Sequence, residues 1–310
     1  MGDAYFRKII FSSSLLLALQ PGFSQPFVDI INTSYQSLAT TYKDSLHQPN
    51  RSDQNFLNLT IPVKIDSQNT IIARFYGERL YSSYDPVSAP CNCPTTASSH
   101  EYSLYSALLP IGLQHETADK KWKLLGLAMP KISSDLKDQF NASYDFQMGG
   151  YAMATYERTK NLKLKFGLFY NREAFGNFFI PIGAIDWKVN KWFQMYGVLP
   201  NNYRFEFALW QKKLYAGLAF KSYTRSYRLS SAYGHDYVRN NEMQLKLFVD
   251  VYLAKKFVLF GEFGRTVGYS PLVYKFNTSK ERSLSAPQYF PINDAFFFNV
   301  GLAYRIRFDF

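Results

Sequence analysis

Alternation of apolar and polar positions is the main pattern along this chain. From Met243 to Leu253 every second residue is apolar, and the positions between them include Lys246 and Asp250. The segment from Phe296 to Phe310 alternates in the same way. A period of two places successive side chains on opposite faces of a strand, whereas a helix repeats every 3.6 residues. Each segment is therefore predicted to be a strand with one face suited to hydrocarbon and one suited to water or a polar interior.

The alternation predicts fourteen strands after residue 25. Most of the segments have the roughly 9 to 11 residues that a tilted membrane strand needs. They are residues 26–38, 54–65, 70–81, 102–115, 121–131, 143–157, 161–171, 177–187, 192–199, 203–211, 214–226, 241–253, 257–269 and 295–310. The first segment and the one at 192–199 alternate least clearly, so twelve strands is the alternative.

Short and long connections alternate between these segments. The short ones are residues 66–69, 116–120, 158–160, 188–191, 211–213 and 254–256, and the longer ones include 82–101, 227–240 and 270–294. Outer-membrane barrels have short turns on the periplasmic side and longer loops outside. We therefore expect every short connection on the periplasmic side and an even number of strands. Trp122, Trp187, Trp192 and Trp210 all lie beside short connections, which predicts one interfacial belt of tryptophan.

Closure of the sheet follows from the same interpretation. An open sheet in lipid would leave the N–H and C=O groups of its edges without partners, at a cost of several kcal/mol each. We therefore predict an all-β fold, a transmembrane antiparallel up-and-down β-barrel. No linker or change of composition divides residues 25–310, which predicts a single outer-membrane barrel domain over that range.

The first 24 residues have the three parts of a signal peptide. Arg7 and Lys8 supply positive charge, residues 9–19 are apolar, and Gly22 and Ser24 fit a small-x-small cleavage site. The apolar part is too short to span a bilayer as a helix. We expect residues 1–24 to direct export through the general secretory route and the mature chain to start at residue 25. An uncleaved anchor is the alternative.

Composition agrees with a membrane barrel and weakens one other class. Mean hydropathy is −0.23, yet 18% of the residues are aromatic, and barrels combine aromatic girdles with polar residues that face inward. The net charge of +11 suits acidic headgroups or anionic solutes. No basic cluster or binding motif concentrates this charge, so nucleic acid is not expected as a partner.

Candidate catalytic and metal-binding residues are sparse. His47, His100, His115 and His235 lack the spacing of a metal site, and no Gly-x-Ser-x-Gly elbow is present. Cys91 and Cys93 lie in one Pro- and Ser-rich segment and are too few for a disulfide framework. A strained local bridge and two free thiols are the alternatives for this pair. We expect no enzyme activity, no metal and no cofactor.

Charged residues on the polar faces are the candidate functional residues. If the apolar face of each strand contacts lipid, the side chains that line the lumen are Arg74, Glu78, Arg204, Glu206, Lys221, Arg225, Lys246, Asp250, Glu262, Arg305 and Arg307. These charges either pair and fill the interior or line a solute path. Both interpretations stay open. Fourteen strands enclose more space than the eight strands whose side chains fill a barrel, so a solute path has room.

The signal peptide, the stretch Asn58 to Lys64 and the aromatic last strand together resemble uncharacterised outer-membrane β-barrel proteins common in Bacteroidota. This resemblance implies a place in the outer membrane of a Gram-negative bacterium, with lipid and the β-barrel assembly machinery as partners. The last strand resembles a signal for that machinery, carried by Tyr304, Ile306, Phe308 and Phe310. Pro62 departs from the usual strand pattern and predicts an edge-like or bulged position near a turn.

Function is predicted less closely than fold. Our first expectation is a passive channel or transporter for small solutes, with hydrophobic solutes included as in fourteen-stranded fatty-acid transporters. The second is a structural or surface-interaction barrel without a conducting lumen. The third is a barrel enzyme that modifies lipid. The identity of the solute, the oligomeric state and the openness of the lumen are not predicted.

Overall fold

A computed structural model describes residues 26–40, 50–82, 102–210, 213–231, 237–274, 288–289 and 294–308. The predicted signal peptide, Cys91, Cys93 and Phe310 lie outside these residues, as do His47, His100 and His235. In the described part of the chain, no helix has the length and hydrophobicity of a membrane-spanning segment.

Nearly all the described residues belong to strands. The elements are β1 (Phe27–Thr40), β2 (Asn50–Lys64), β3 (Asn69–Ser82), β4 (Tyr102–Leu108), β5 (Ile111–Glu116), β6 (Trp122–Ser134), α1 (Ala142–Asp145), β7 (Phe146–Thr159), β8 (Leu162–Glu173), β9 (Gly176–Lys188), β10 (Phe193–Val198), β11 (Asn202–Trp210), β12 (Leu214–Arg228), β13 (Tyr237–Tyr252), β14 (Phe257–Tyr274), β15 (Gln288–Tyr289) and β16 (Phe296–Arg307).

The strands close into one antiparallel barrel. Neighbouring strands pair in sequence order, β1 pairs with β16, and β14 lies between β13 and β16. β4 and β5 both lie between β3 and β6, so they share one position that is interrupted at Leu109 and Pro110. β15 adds two residues beside β14. The described residues thus form the closed fourteen-strand barrel that the alternation predicted, and the twelve-strand alternative is wrong.

Strand boundaries differ from the predicted ones mainly far from the short turns. β7 starts at Phe146 because one helical turn, α1, comes before it, and the side chain of Asn141 caps that turn by accepting from Ser143 N. β13 starts four residues earlier than predicted, and β14 extends to Tyr274. Pro62 lies beyond the last β1–β2 pair, Ile31 with Leu59, so the β1 ladder does not need its missing N–H. The edge-like position predicted for Pro62 is confirmed.

We call one rim of the barrel the turn end. Residues 65–68, 117–121, 160–161, 189–192 and 253–256 connect strands there. Asp66 shapes the first turn by accepting from Gln68 N at 2.7 Å and Asn69 N at 2.8 Å. The hydrogen bond from the Asn69 side chain, together with these two N–H groups, holds the pKa of Asp66 below its usual value.

The opposite rim, the loop end, does not consist of long connections alone. β8 and β9 are joined by Ala174 and Phe175, and β10 and β11 by residues 199–201. The prediction that every short connection lies on one side is therefore wrong for these two links. The β10–β11 hairpin is also shallow, since β10 has only six residues.

The outer face carries the apolar residues. Large exposed side chains such as Phe166, Phe205 and Leu245 come from strands all around the barrel. The tryptophans lie near the turn end, where Trp122 starts β6 and Trp210 ends β11. Lys191 and Lys213 lie 5.4 Å and 5.7 Å from the ring centroids of Trp192 and Trp210. Aromatic rings with lysines beside them are typical of a membrane–water interface.

The last strand joins the first near the turn end. Tyr304 and Ile306 are half-buried on the outer face of β16, and Phe308 is buried just beyond it. Phe308 N donates to Pro26 O at 2.8 Å and extends the β1–β16 contact. The role of these aromatic residues in assembly stays a prediction.

Leu247 tests the assignment of the outer face. It lies in the middle part of β13 and is 57% exposed. We expect Leu247→Arg to lower the free energy of unfolding in phospholipid vesicles by about 2–4 kcal/mol, because an arginine at the bilayer midplane loses its hydration. Urea unfolding followed by tryptophan fluorescence measures this loss. The control is Leu253→Arg beside the turn end, with an expected loss of about 0–1 kcal/mol. Equal losses at the two positions would contradict the assignment.

Candidate functional site in the barrel interior

Arg305 is the centre of an ion-pair network inside the barrel. Its Nε donates to Asp29 Oδ1 at 2.5 Å, and its Nη1 donates to Asp250 Oδ2 at 2.6 Å. Arg204 donates to the same Asp250 oxygen at 3.1 Å. Two arginines thus neutralise two carboxylates from β1 and β13. Buried charges are tolerated in this way only when each has a partner.

Aromatic rings cover the same arginines. The Phe27 ring centroid lies 3.7 Å from Cζ of Arg305, and the Phe248 centroid lies 3.6 Å from Cζ of Arg204. These contacts exclude water and add a cation–π attraction. The network is therefore neutral, and apolar rings cover its two arginines.

More pairs continue this packing along one side of the lumen. They join Lys246 with Glu262, Glu262 with Asn299, Arg307 with Glu206, Glu206 with Tyr196 and Gln194, and Gln244 with Glu242 and Gln36. We call the inner faces of β10, β11, β13, β14, β16 and β1 the ion-paired wall. Its central side chains are almost fully buried, with Asp250 1% and Arg305 2% exposed. The wall offers no room for a solute.

The part of β12 beyond Lys221, residues 222–228, crosses the lumen, and we call it the crossing segment. β11 pairs with β12 only as far as Asn202 with Lys221, and beyond this point β12 pairs with β13 alone. Its last residue, Arg228, forms a parallel bridge with Ser134 of β6, and Asp135 N donates to Arg228 O at 3.0 Å. Five strands, β7 to β11, lie between β6 and β12 in the barrel order. β12 must therefore leave the wall to reach β6.

Both faces of the crossing segment have partners. Arg225 forms an ion pair with Glu78 on β3, across the barrel. Glu173 on β8 accepts from Ser226 N at 3.2 Å and from Lys131 Nζ at 2.9 Å. Tyr227 and Leu229 pack in a buried apolar cluster together with Leu80, Leu104 and Val238. The crossing segment therefore blocks the interior near the loop end.

Two rows of the remaining inner face, opposite the ion-paired wall, are mostly apolar. They lie between Lys165 and Asp186 towards the turn end and Lys131 and Glu173 towards the loop end. One row across β3, β5, β6, β7, β8 and β9 consists of Ile72, Gly112, Leu127, Tyr151, Phe169 and Ile180. The next row towards the turn end includes Leu125, Met153, Gly167 and Ile182. We call these two rows the inner apolar wall. Most of its side chains are half-buried, and because they point inward, this exposure is to space inside the barrel.

Two glycines bring the strands of the inner apolar wall close together. A Cβ on Gly112 would lie 1.9 Å from Gly126 O, and a Cβ on Gly167 would lie 2.1 Å from Ala152 O. No other residue fits these approaches without a backbone shift. Because glycine adds no side chain, both positions also leave space next to Leu127 and Met153.

The candidate lumen residues fall into two groups. Glu78, Arg204, Glu206, Arg225, Lys246, Asp250, Glu262, Arg305 and Arg307 are all in ion pairs. Arg74 and Lys221 also point inward, but no carboxylate of the described residues lies within ion-pair distance of either. Arg74 donates to the Tyr76 hydroxyl at 3.3 Å, and Lys221 Nζ lies 4.4 Å from the Tyr223 ring centroid. Both side chains are half-buried, so each keeps some exposure to the interior.

The inner apolar wall is not predicted by the alternation of the strands. It has a signal in the sequence, because residues 124–130 and 178–185 are apolar at almost every position. Such a run is typical of a strand that is apolar on both faces.

His115 Nδ1 lies 2.9 Å from Asn69 Oδ1 near the turn end. Over the described ranges, no three His, Cys, Asp or Glu side chains come together as metal ligands.

A protein-family model matches residues 30–305, and its description is a domain of unknown function, DUF6268. The chain belongs to the DUF6268 family. The match spans the barrel from β1 to β16 and therefore includes both inner walls. No curated protein matches this DUF6268 chain.

Solved outer-membrane proteins are similar to the DUF6268 barrel over most of its length. The translocator domain of the autotransporter NalP from Neisseria meningitidis is 13% identical, with 97% of each chain covered and a TM-score of 0.40. An outer-membrane channel from Pseudomonas putida F1 is 9% identical, covering 91% of this chain and 97% of that chain at a TM-score of 0.46. The toluene transporter TodX of P. putida is 11% identical, covering 93% and 94% at 0.44. These likenesses concern the barrel fold.

Arg305 tests how far the DUF6268 barrel depends on its ion pairs. We expect Arg305→Leu to lower the free energy of unfolding by about 3–5 kcal/mol, because buried carboxylates lose their partner. Adding Asp29→Asn should restore part of this loss. Urea unfolding in vesicles measures both variants, with Arg265→Leu on the exposed outer face as a control that removes the same charge. A small effect of Arg305→Leu would contradict a buried ion-paired wall.

Proposed function

We propose that this protein is an outer-membrane barrel through which small apolar solutes pass passively. The observation that carries the proposal is the inner apolar wall, whose half-buried side chains face the interior opposite a sealed, ion-paired wall. A purely structural barrel gains nothing from apolar side chains that remain open to its own interior. Ligand sites are predominantly apolar and concave, with a few polar groups that orient the ligand.

Solvation explains why such a wall favours apolar solutes. Covering apolar surface removes it from water and contributes about 25 cal/mol per Å². Leu127, Tyr151, Phe169 and Ile180 lie in register across β6 to β9 and offer one continuous surface to a solute. A charged solute would gain nothing there and would lose hydration.

Arg74 and Lys221 supply the polar part of the site. Lys221 Nζ lies between rings of two strands, 4.4 Å from the Tyr223 centroid and 5.6 Å from the Phe56 centroid. Its ammonium and the Arg74 guanidinium can donate to an acceptor group on the solute. The solute class that fits is a small aromatic or aliphatic molecule with at most one such acceptor.

The cellular setting is part of the proposal. The apolar outer face and the tryptophans beside lysines at the turn end support a place in the outer membrane. Export through the general secretory route, recognition by the barrel assembly machinery and a source in the Bacteroidota stay predictions. No enzyme activity is proposed.

A structural or surface-interaction barrel is the second candidate function. The crossing half of β12 favours it, because this segment blocks the loop end and is held by Glu78, Glu173 and Ser134. In that case the barrel would pass neither polar nor apolar solutes.

Uptake of an apolar dye separates the two functions. N-phenyl-1-naphthylamine crosses an outer membrane slowly and fluoresces when it reaches lipid. We expect cells with the barrel in the outer membrane to take up this dye faster than matched cells without it. Swelling of liposomes in arabinose should stay slow, because a sugar finds no polar path past the crossing segment. Dye uptake equal to that of cells without the barrel would contradict the proposed function and favour the structural one.

Leu127 tests the inner apolar wall directly. We expect Leu127→Lys to slow dye uptake about tenfold, since a loss of about 1.4 kcal/mol in solute affinity has that effect and an ammonium disrupts the apolar surface. Leu127→Met is the matched control and should keep the rate, because it preserves volume and polarity. Heat-modifiable migration on gels shows that both variants are folded. Unchanged uptake by folded Leu127→Lys would exclude this wall from the path.

A further inference from the structure

β9 and β10 are joined much less completely than the other neighbours in the barrel. Their ladder consists of Met195 with Trp187 and Gln194 with Lys188, followed only by an isolated bridge between Gly183 and Leu199. β8 and β9, in contrast, pair from Leu162 with Trp187 to Glu173 with Gly176. The wall is therefore weakest along one edge of β9.

Side chains take the place of backbone pairing inside this weak seam. Asp186 Oδ1 accepts from Gly197 N at 3.1 Å, and Lys165 Nζ donates to Gly197 O at 3.1 Å. The Tyr203 hydroxyl donates to Ile185 O. These bonds satisfy backbone groups that a continuous ladder would pair. These bonds close the part of the seam nearest the turn end, up to the bridge between Gly183 and Leu199.

Beyond that bridge, β9 has no strand partner on this side among the described residues. β9 continues from Ile182 to Gly176 towards the loop end, whereas the β10–β11 hairpin turns back at residues 199–201. The next strand, β12, has already left the wall to reach β6. On the loop-end side of the gap, Ser226 contacts the β8–β9 hairpin, where Ala174 N donates to Ser226 Oγ at 3.0 Å. Strands and hairpins therefore border this gap on every side, and we call the gap the side opening.

Pro181 lies on the edge of the side opening. Gly183 N and O both bond to Leu199, so the backbone groups of Gly183 point away from β8. Every second residue of a strand points its N–H and C=O to the same side, which directs those of Pro181 and Phe179 into the opening. Pro181 has no N–H to leave unpaired, and proline in sheets is confined to such edges. The sequence therefore suits an edge at this place.

The side chains on the rim of the side opening are apolar. Phe179 is 70% exposed and Leu199 is 45% exposed, both on the outer face. Ile180, which alternates with Phe179, belongs to the inner apolar wall. One apolar surface thus extends from the interior, through the gap, to the part of the barrel that faces hydrocarbon.

We propose that small apolar solutes pass between the barrel interior and the membrane sideways, through the side opening between β9 and β12. This inference rests on the proposed function and gives it a route. The crossing segment blocks the loop end, and the ion-paired wall is sealed, so in the described part of the chain the inner apolar wall is continuous with lipid only here. A sideways path keeps the solute in contact with apolar groups throughout and avoids the cost of returning it to water.

Bulky labels on the rim test the route. Cys91→Ser and Cys93→Ser give a cysteine-free chain, which must first take up N-phenyl-1-naphthylamine at the wild-type rate. In that background, Leu199→Cys places a single thiol on the rim, and Asn201→Cys provides a second position if the first variant does not fold. Leu209→Cys is the matched control, because it is exposed on the outer face of β11 away from the gap. Each thiol is modified with pyrene maleimide.

We expect that only labels on the rim slow the uptake of the dye. Label at residue 199 or 201 should slow dye uptake about tenfold, equivalent to about 1.4 kcal/mol, and label at residue 209 should leave it unchanged. If the unlabelled chain shows no uptake, the proposed function fails. If the unlabelled chain is active, Leu127→Lys is inactive and rim labels have no effect, the side opening is overturned while the proposed function stands.

Discussion

Backbone hydrogen bonding without water is the constraint on which this structure depends. A sheet with hydrocarbon on one side has nowhere to place unpaired N–H and C=O groups, so the ladder must return to its starting point. It does so where β1 pairs with β16 from Phe27 with Arg307 to Leu38 with Phe297. The alternation of side chains, the apolar outer face and the charged interior all follow from that closed ladder.

Unequal strand lengths then decide the shape of the interior. β10 and β11 have six and nine residues, whereas β12 and β13 have fifteen and sixteen. Between Lys221 and the loop end, β12 therefore has no partner on β11. This part of β12 bonds to β6 and β8 instead. The crossing that results closes the loop end and leaves one compartment between the ion-paired wall and the inner apolar wall. A local difference in hairpin depth thus produces the compartment, and no separate plug segment is needed in the described part of the chain.

Periodicity in the sequence is enough to predict the number of strands and most of their bounds. It could not predict partners across the lumen, because alternation describes the two faces of one strand and says nothing about what lies opposite. Arg225 and Glu78 are 147 residues apart, and Arg307 and Glu206 are 101 apart. The inner apolar wall escapes prediction for a related reason, because residues 124–130 are apolar on both faces and alternation does not mark the inward one.

The pairing of β1 with β16 also has a consequence for biogenesis. Asp29 and Arg305, which lie in these two strands and form an ion pair, are 276 residues apart. Until β16 has been synthesised, both β1 and β14 present a bare edge, and contacts of such long sequence separation form slowly. The exposed strands of an incomplete chain are prone to aggregate. The complete ladder of this barrel can therefore form only once its last strand, β16, is available.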